Sequence, residues 1–314
     1  MGQRRFWAVA VCVTITLSGI YAWASEEEMA LQKATQYLSQ SQTSSGGWPL
    51  VVGEGDAEAE TTAWAVRALI IANGDSRSIE NGVSFLLKSQ SGAGSVNDNT
   101  AHTAFFVMAL DAAAKGMEDR TRAIDWLIKS QNEDGGWGRH PKTPSLSIYT
   151  AVALKALAQA GKKSGDPVVR KALEYLETIQ NPDGGWPMPK GGNSLALGTA
   201  WVLNALAVFN VTRGSPLVDK GLDFLMQCRK VRNGGFAIVP PAAEDPEITA
   251  YAMLAMTAQK VHRDALKDAA YYLAAVQLPD GAFVSDTPME FQKQRKKNVQ
   301  TTCFVVWALK AAGF

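Results

Sequence analysis

The sequence predicts an all-α protein: an α/α toroid of six helical hairpins, with two concentric layers of six helices. Three observations carry that expectation. A helical pattern ending in Gln and a Gly-rich turn recurs six times. A Thr-Ala signature opening an apolar stretch recurs six times as well. The two alternate along the chain, the anchors of the first recurring every 41 to 49 residues. Self-similarity at such a period marks a repeat architecture, in which each unit buries its apolar face only against its neighbours.

The first signature is plainest in QNEDGGWG (131–138) and QNPDGGWP (180–187). An aromatic stands five residues before each anchor: Tyr37 before Gln42, Phe85 before Gln90, Trp126 before Gln131, Tyr175 before Gln180 and Tyr272 before Gln277. Phe224 precedes Arg229, which takes the Gln place in one copy. The helices ending at these anchors mix charged with apolar residues, as an outer layer with one wet face does. Asn or Asp and the paired Gly accept left-handed backbone angles and so end each outer helix. Trp48, Trp137, Trp186, Phe236 and Phe283 close the turns and read as staples between repeats; SQSGAGSV in the second repeat lacks one.

The second signature runs ETTAWAVRAL, HTAFFVMAL, YTAVALKAL, GTAWVLNAL, ITAYAMLAM and QTTCFVVWAL, with its Thr at 62, 103, 150, 199, 249 and 302. These stretches are rich in Ala, Leu and Val and read as buried inner helices. Chain order gives the topology. The first helix (about 27–42) is outer and the last (about 299–313) is inner, with five inner–outer pairs between them. Packing the first against the last closes a ring. An open solenoid is the alternative, but it calls for polar capping repeats.

Composition bounds the rest. Hydrophobic residues are 46% and charged residues 19%, enough for a large core and against global disorder. Lys plus Arg total 31 against 30 for Asp plus Glu, which excludes an electrostatic case for nucleic acid as the main partner. Residues 1–24 read as a signal peptide: basic Arg4 and Arg5, an uncharged apolar run from Phe6 to Tyr21, then Ala22-Trp23-Ala24. Cleavage before Ser25 would leave one toroid, 25–314, in the periplasm or secreted; an uncleaved anchor is the alternative. Beyond Cys12, only Cys228 and Cys303 remain, expected as buried thiols with one bridge as the alternative. No Cys-x-x-Cys spacing occurs, and His102, His140 and His262 form no ligand pattern, so neither metal nor cofactor is expected.

Candidate site residues follow from the repeat register. All inner helices run one way, so their N-termini gather at one mouth, which favours anions. Two residues before each Thr stand Glu60, Ala101, Ile148, Leu197, Glu247 and Gln300. Glu60 and Glu247 are the catalytic candidates, an acid and its partner; helix capping is the plainer alternative. Two residues after each Thr stand Trp64, Phe105, Val152, Trp201, Tyr251 and Phe304. Facing inwards, Trp64, Phe105, Trp201, Tyr251 and Phe304 would bind an apolar ligand or stabilise a carbocation; facing outwards they would be glue between layers. The basic run QKQRKK (292–297) would meet a diphosphate or anionic head group, or remain a solvated loop.

The Gln-anchored, Trp-closed turns resemble those of squalene–hopene and oxidosqualene cyclases, as do GEGDAEAETTAWAVRAL (53–69) and SFLLKSQ (84–90). The resemblance spans nearly all of residues 25–314. It implies a single toroid that binds a polyisoprenoid or similar apolar ligand, with terpene-cyclase-like acid chemistry. The family's acid motif is Asp-x-Asp-Asp-Thr-Ala. Its nearest counterpart is Glu58-Ala59-Glu60-Thr61-Thr62-Ala63, which implies Glu60 in place of the proton donor. Protein prenyltransferase β subunits share the toroid, and NGGFAIVPP (233–241) is similar to one of their turns. Their zinc site needs Asp, Cys and His; around Cys303 the chain offers Gln300 and Thr301 instead. The expected partner is therefore an apolar small molecule or isoprenoid, with peripheral membrane contact and without nucleic acid. A non-catalytic binding or scaffold protein, and a carbohydrate-active α/α-toroid enzyme with a carboxylate pair, are the competing functions. N-terminal sequencing of protein recovered outside the cytoplasm should read Ser25 first; a chain retaining Met1–Ala24 would be an anchored protein.

Overall fold

A computed structural model of the protein describes residues 25–286 and 295–314. The signal-peptide expectation, on 1–24, and positions 292–294 of the basic run lie outside the described residues. Among the described residues there are twelve α-helices in alternating layers. The outer helices are α1 (Glu26–Gln40), α3 (Ser76–Ser89), α5 (Met117–Lys129), α7 (Pro167–Thr178), α9 (Pro216–Gln227) and α11 (Arg263–Val276). The inner helices are α2 (Ala59–Ile71), α4 (Thr100–Ala112), α6 (Ser147–Gln159), α8 (Ala196–Val208), α10 (Pro246–Ala258) and α12 (Val299–Ala312).

Burial separates the layers as the composition demands. Nearly every side chain from Thr100 to Leu110 of α4 is buried, whereas α5 buries only Ala123, Ile124 and Leu127. Each inner helix packs on the next: α2 on α4, then α6, α8, α10 and α12, and α12 returns to α2. Outer helix α1 packs on α12 and on α11, so the first helix seals the last repeat. The ring is closed and has no free edge.

Two side-chain bonds repeat around it. Each Gln anchor folds its amide back to its own turn and forward to the next outer helix. Gln131 Nε2 donates to Gly135 O at 2.8 Å and Val168 O at 2.8 Å; Gln42, Gln90 and Gln180 make the equivalent pair of bonds in their own repeats. Arg229, the exception, reaches Asp268 on α11 by an ion pair instead. Each register Thr accepts, on its hydroxyl, the backbone N–H of the residue that closes the turn: Trp48, Val96, Trp137, Trp186, Phe236 and Phe283. Val96 thus fills the staple position in the repeat that lacks an aromatic. The three tryptophans are fully buried and their indole N–H groups donate to Leu38 O, Leu127 O and Leu176 O.

Glycine is required at the turn for two reasons at once. Gly135 has φ +88°, and a Cβ there would lie 2.4 Å from Lys171 O on the neighbouring outer helix. The turns also pair with the approach to the inner helix in short antiparallel ribbons, β1 (Trp186–Pro187) with β2 (Ser194–Leu195) and β3 (Phe283–Ser285) with β4 (Lys296–Asn298). Cys228 and Cys303 are both buried free thiols.

The ring-closing copy of the anchor is Gln277, whose Nε2 donates to Gly281 O at 3.0 Å and to Ala30 O of α1 at 2.8 Å. Gln277→Ala strands two half-buried carbonyls and should lower stability by about 1–3 kcal/mol. Denaturant unfolding should give the same loss for Gln131→Ala; a ring that closes by some other contact would leave Gln277→Ala near wild type.

Candidate active site

The register read from the repeats converges on one cavity of about 500 Å³ at the mouth where the inner helices begin. All six residues two before the Thr and all six two after it line this space. The aromatics face inwards, so the reading of them as glue between layers does not hold. They also touch one another across the ring axis. Tyr251 and Phe304 have centroids 4.7 Å apart, Trp64 lies 5.5 Å from both Phe105 and Phe304, and Trp201 lies 5.8 Å from Phe304. Five aromatic rings therefore form a packed floor, each contact adding roughly 0.5–1.5 kcal/mol beyond area burial. The cavity stands above the floor; below it the ring is filled.

Below the floor, in the layer three residues further along each helix, stand two cations that sequence reading missed. The Arg67 guanidinium lies 4.5 Å over the Trp307 ring, and Lys155 Nζ 5.4 Å over Trp201. Lys155 also donates to Asn204 Oδ1. Burial, reinforced by the Arg67 charge, pulls the Lys155 amine down to about 7. A basic residue in the apolar part of an inner-helix signature, Arg67 in WAVRAL and Lys155 in VALKAL, was the available signal.

The two candidate carboxylates occupy equivalent places and different environments. Glu60 is at the rim: its side chain is 22% exposed and its Oε2 lies 3.1 Å from His102 Nε2. Glu247 is completely buried. Its Oε1 accepts from Tyr251 Oη and Gln300 Nε2, each at 2.6 Å, and its Oε2 lies 2.6 Å from Thr301 Oγ1. Burial pushes the Glu247 carboxyl up to about 8, against the hydrogen bonds from Thr301 and Tyr251. Burial thus holds Glu247 towards its protonated form. Gln300 and Tyr251 both donate to Oε1, which leaves Oε2 to carry the proton.

Asp245 explains how burial wins beside a helix N-terminus. As N-cap of α10, its Oδ1 takes the amides of Glu247 and Ile248 at 2.8 and 3.2 Å. Those amides would otherwise stabilise a Glu247 anion. Asp245 also holds Ser285 Oγ and the Asp286 N–H, tying β3 to the mouth, and its charge adds to the upward push on Glu247. Sequence reading missed Asp245, although Asp245-Pro246-Glu247-Ile248-Thr249-Ala250 sits in the same Thr-Ala register. It matches the first and third positions of Asp-x-Asp-Asp-Thr-Ala in charge, and the first in residue type. In the basic run, Lys296 pairs with Glu54 at 2.6 Å and Lys297 with Asp280 at 2.5 Å; Arg295 lies 3.3 Å from Asp286 and lines the cavity. Among the described residues no three His, Cys, Asp or Glu gather as metal ligands.

A closed helical ring with an acid over an aromatic floor defines an α/α toroid of the terpene-cyclase kind. The chain belongs to the squalene–hopene cyclase C-terminal domain family, whose pattern it matches over residues 7–108 and 142–312. Drimenyl diphosphate synthase from Streptomyces showdoensis is 34% identical over 154 residues, 45% of this chain and 29% of that protein, so the match spans less than a third of the relative's length. Among solved structures, the type II terpene cyclase MstE from Scytonema, in complex with its substrate geranylgeranyl dihydroxybenzoate, superposes with a TM-score of 0.71 at 15% identity. That superposition covers 91% of this chain and 97% of MstE. A possible GH105-family protein from Salmonella enterica reaches a TM-score of 0.64 at 12% identity, covering 93% and 95%. At these identities both structures speak to the fold alone.

A Glu247 pKa near 8, above its ordinary 4.5, means the folded protein holds a proton that the unfolded chain releases between those values. The contribution to stability is present at low pH and is lost as pH rises from about 4.5 to 8. Glu247→Gln should remove this decline, making the variant more stable than wild type at pH 9 by up to about 5 kcal/mol. Denaturant midpoints across pH 4 to 9 check it; parallel curves for the two proteins would mean that Glu247 ionises freely in the fold.

Proposed function

We propose that the protein is an exported type II terpene cyclase that takes a linear polyisoprenoid into the mouth cavity and starts its cyclisation by protonation. The observation that carries this reading is Glu247: a buried carboxyl group, pushed towards its protonated form, lining a cavity floored by five aromatic rings. An alkene is a very weak base, so its protonation needs a neutral acid in a site that keeps water away. Glu247 Oε2–H would give its proton to a terminal C=C, and the π electrons would form the new C–H bond. The resulting cation would be attacked by the next alkene in the chain, closing a ring and moving the charge onward. Trp64, Phe105, Trp201, Tyr251 and Phe304 present π faces and edges beneath that path, worth roughly 0.5–2 kcal/mol each where a face meets the cation. Loss of a proton at the end restores the balance, so the net reaction is an isomerisation without cofactor. The geranylgeranyl arene bound by MstE and the drimenyl diphosphate that the Streptomyces enzyme is named for fit the same class of ligand.

Incubation of the purified protein with farnesol, geranylgeraniol and their diphosphates, followed by gas chromatography and mass spectrometry, tests the reading. Cyclised isomers should appear, carrying one deuterium when the reaction runs in D2O. Glu247→Gln should reduce turnover at least ~1,000-fold while the probe still binds. Binding of the probes without turnover by the wild-type protein would instead make the toroid a carrier of apolar ligands.

A further inference from the structure

We propose that Glu60 is the base that ends the reaction, with His102 as its positioning residue; this rests on the cyclase reading of the same cavity. The cavity needs a second proton site. Cyclisation moves the positive charge away from the atom first protonated, so the acid is badly placed to take back the final proton. Glu247 stands on α10 and Glu60 on α2, with α12 between them around the ring. The two carboxylates therefore address different parts of a folded polyene lying over the aromatic floor.

Glu60 is distinguished by its two faces. It lines the mouth cavity and also a neighbouring rim groove of about 690 Å³. Among the residues lining these two spaces, it is the one carboxylate common to both; Glu247, Glu244, Asp245 and Asp286 line the cavity alone, and Glu58 the groove alone. A proton accepted on the cavity side can thus leave to water on the groove side without crossing the substrate. His102 lies on the groove side. Its Nδ1 is 3.1 Å from Asn97 Nδ2, an amide that donates, so Nδ1 accepts and the ring proton sits on Nε2. His102 Nε2 lies 3.1 Å from Glu60 Oε2, so the imidazole holds the carboxylate between the groove and the cavity. Asn97 itself has φ +54°, a left-handed conformation that Asn tolerates, placing its amide at the imidazole.

The step balances. The C–H bond next to the last carbocation breaks, its electron pair becomes the new C=C bond, and the proton moves to a Glu60 oxygen and then to water. Water reprotonates Glu247. Where Glu60 is absent, a water molecule entering from the rim adds to the cation and loses a proton, giving a tertiary alcohol. The readout is therefore the ratio of cyclic alkene to cyclic alcohol within each turnover, which a loss of folded protein does not change.

With geranylgeraniol and farnesol and their diphosphates as probes, the wild-type protein should give mainly cyclic alkene. Glu60→Gln should lower the alkene-to-alcohol ratio at least ~10-fold, Glu60→Asp should restore part of it, and His102→Leu should lower it by a smaller factor, about threefold. A Glu60→Gln variant with the wild-type ratio, or a wild-type product that is already an alcohol, overturns the assignment while the cyclase reading stands. Absence of any cyclised product from the wild-type protein overturns both.

Discussion

A single carboxamide, repeated, holds the toroid together. Each Gln anchor donates both amide hydrogens to backbone carbonyls, one in its own turn and one at the start of the next outer helix. It thereby fixes where one hairpin ends and how the next is placed, and it satisfies carbonyls that no helix can. The glycine directly after the Asn or Asp of the turn makes the same joint possible from the other side, because any Cβ there would strike the neighbouring backbone. The Thr hydroxyl then carries the position of the turn to the inner helix. Spacing of the inner helices, and so the width of the mouth, follows from these joints.

Within that frame six equivalent positions face the mouth, and chemistry arises where the six differ. Ala101, Ile148 and Leu197 keep one side of the cavity apolar, while Glu60, Glu247 and Gln300 make the other side polar. A helix N-terminus alone would stabilise a carboxylate by ~0.3–1 kcal/mol. At Glu247 Asp245 consumes the two nearest amides and burial supplies the opposing, larger effect, which pushes the carboxyl towards its protonated form. At Glu60 the rim stays open and a histidine faces the carboxylate. The same residue type in the same register thus meets two different environments, set by what its neighbours offer.

The fold was legible because it is periodic. Twelve lining positions followed from counting two residues either way from six threonines, and the closing of the ring followed from which layer came first and last. The difference between Glu60 and Glu247 was not legible in this way. It depends on Gln300 and Thr301 from α12, on Tyr251 one turn below, and on Ser285 from a hairpin, contacts between segments that have no fixed spacing in sequence. The aromatic column was read for its rings, so the hydroxyl of Tyr251 went unweighed. The stretch around Glu60 shares more of the family's surrounding letters than the one around Asp245, yet the Glu58 side chain there takes the Thr61 hydroxyl and no backbone N–H of the helix start.

The bond from Gln277 to Ala30 joins residues 247 positions apart, whereas its sister anchors span fewer than 40. Every repeat but one can therefore dock as soon as its successor has been made. Helix α1 is the exception: it is made before every other helix of the ring and meets α11 and α12 last. Until then its apolar stripe of Leu31, Ala34, Tyr37 and Leu38 lacks its final cover. Loop-closure entropy for so long a span is modest in equilibrium terms, but contacts of this range are what slow a folding chain. The clasp of the ring is thus the segment that chaperones would have most time to hold.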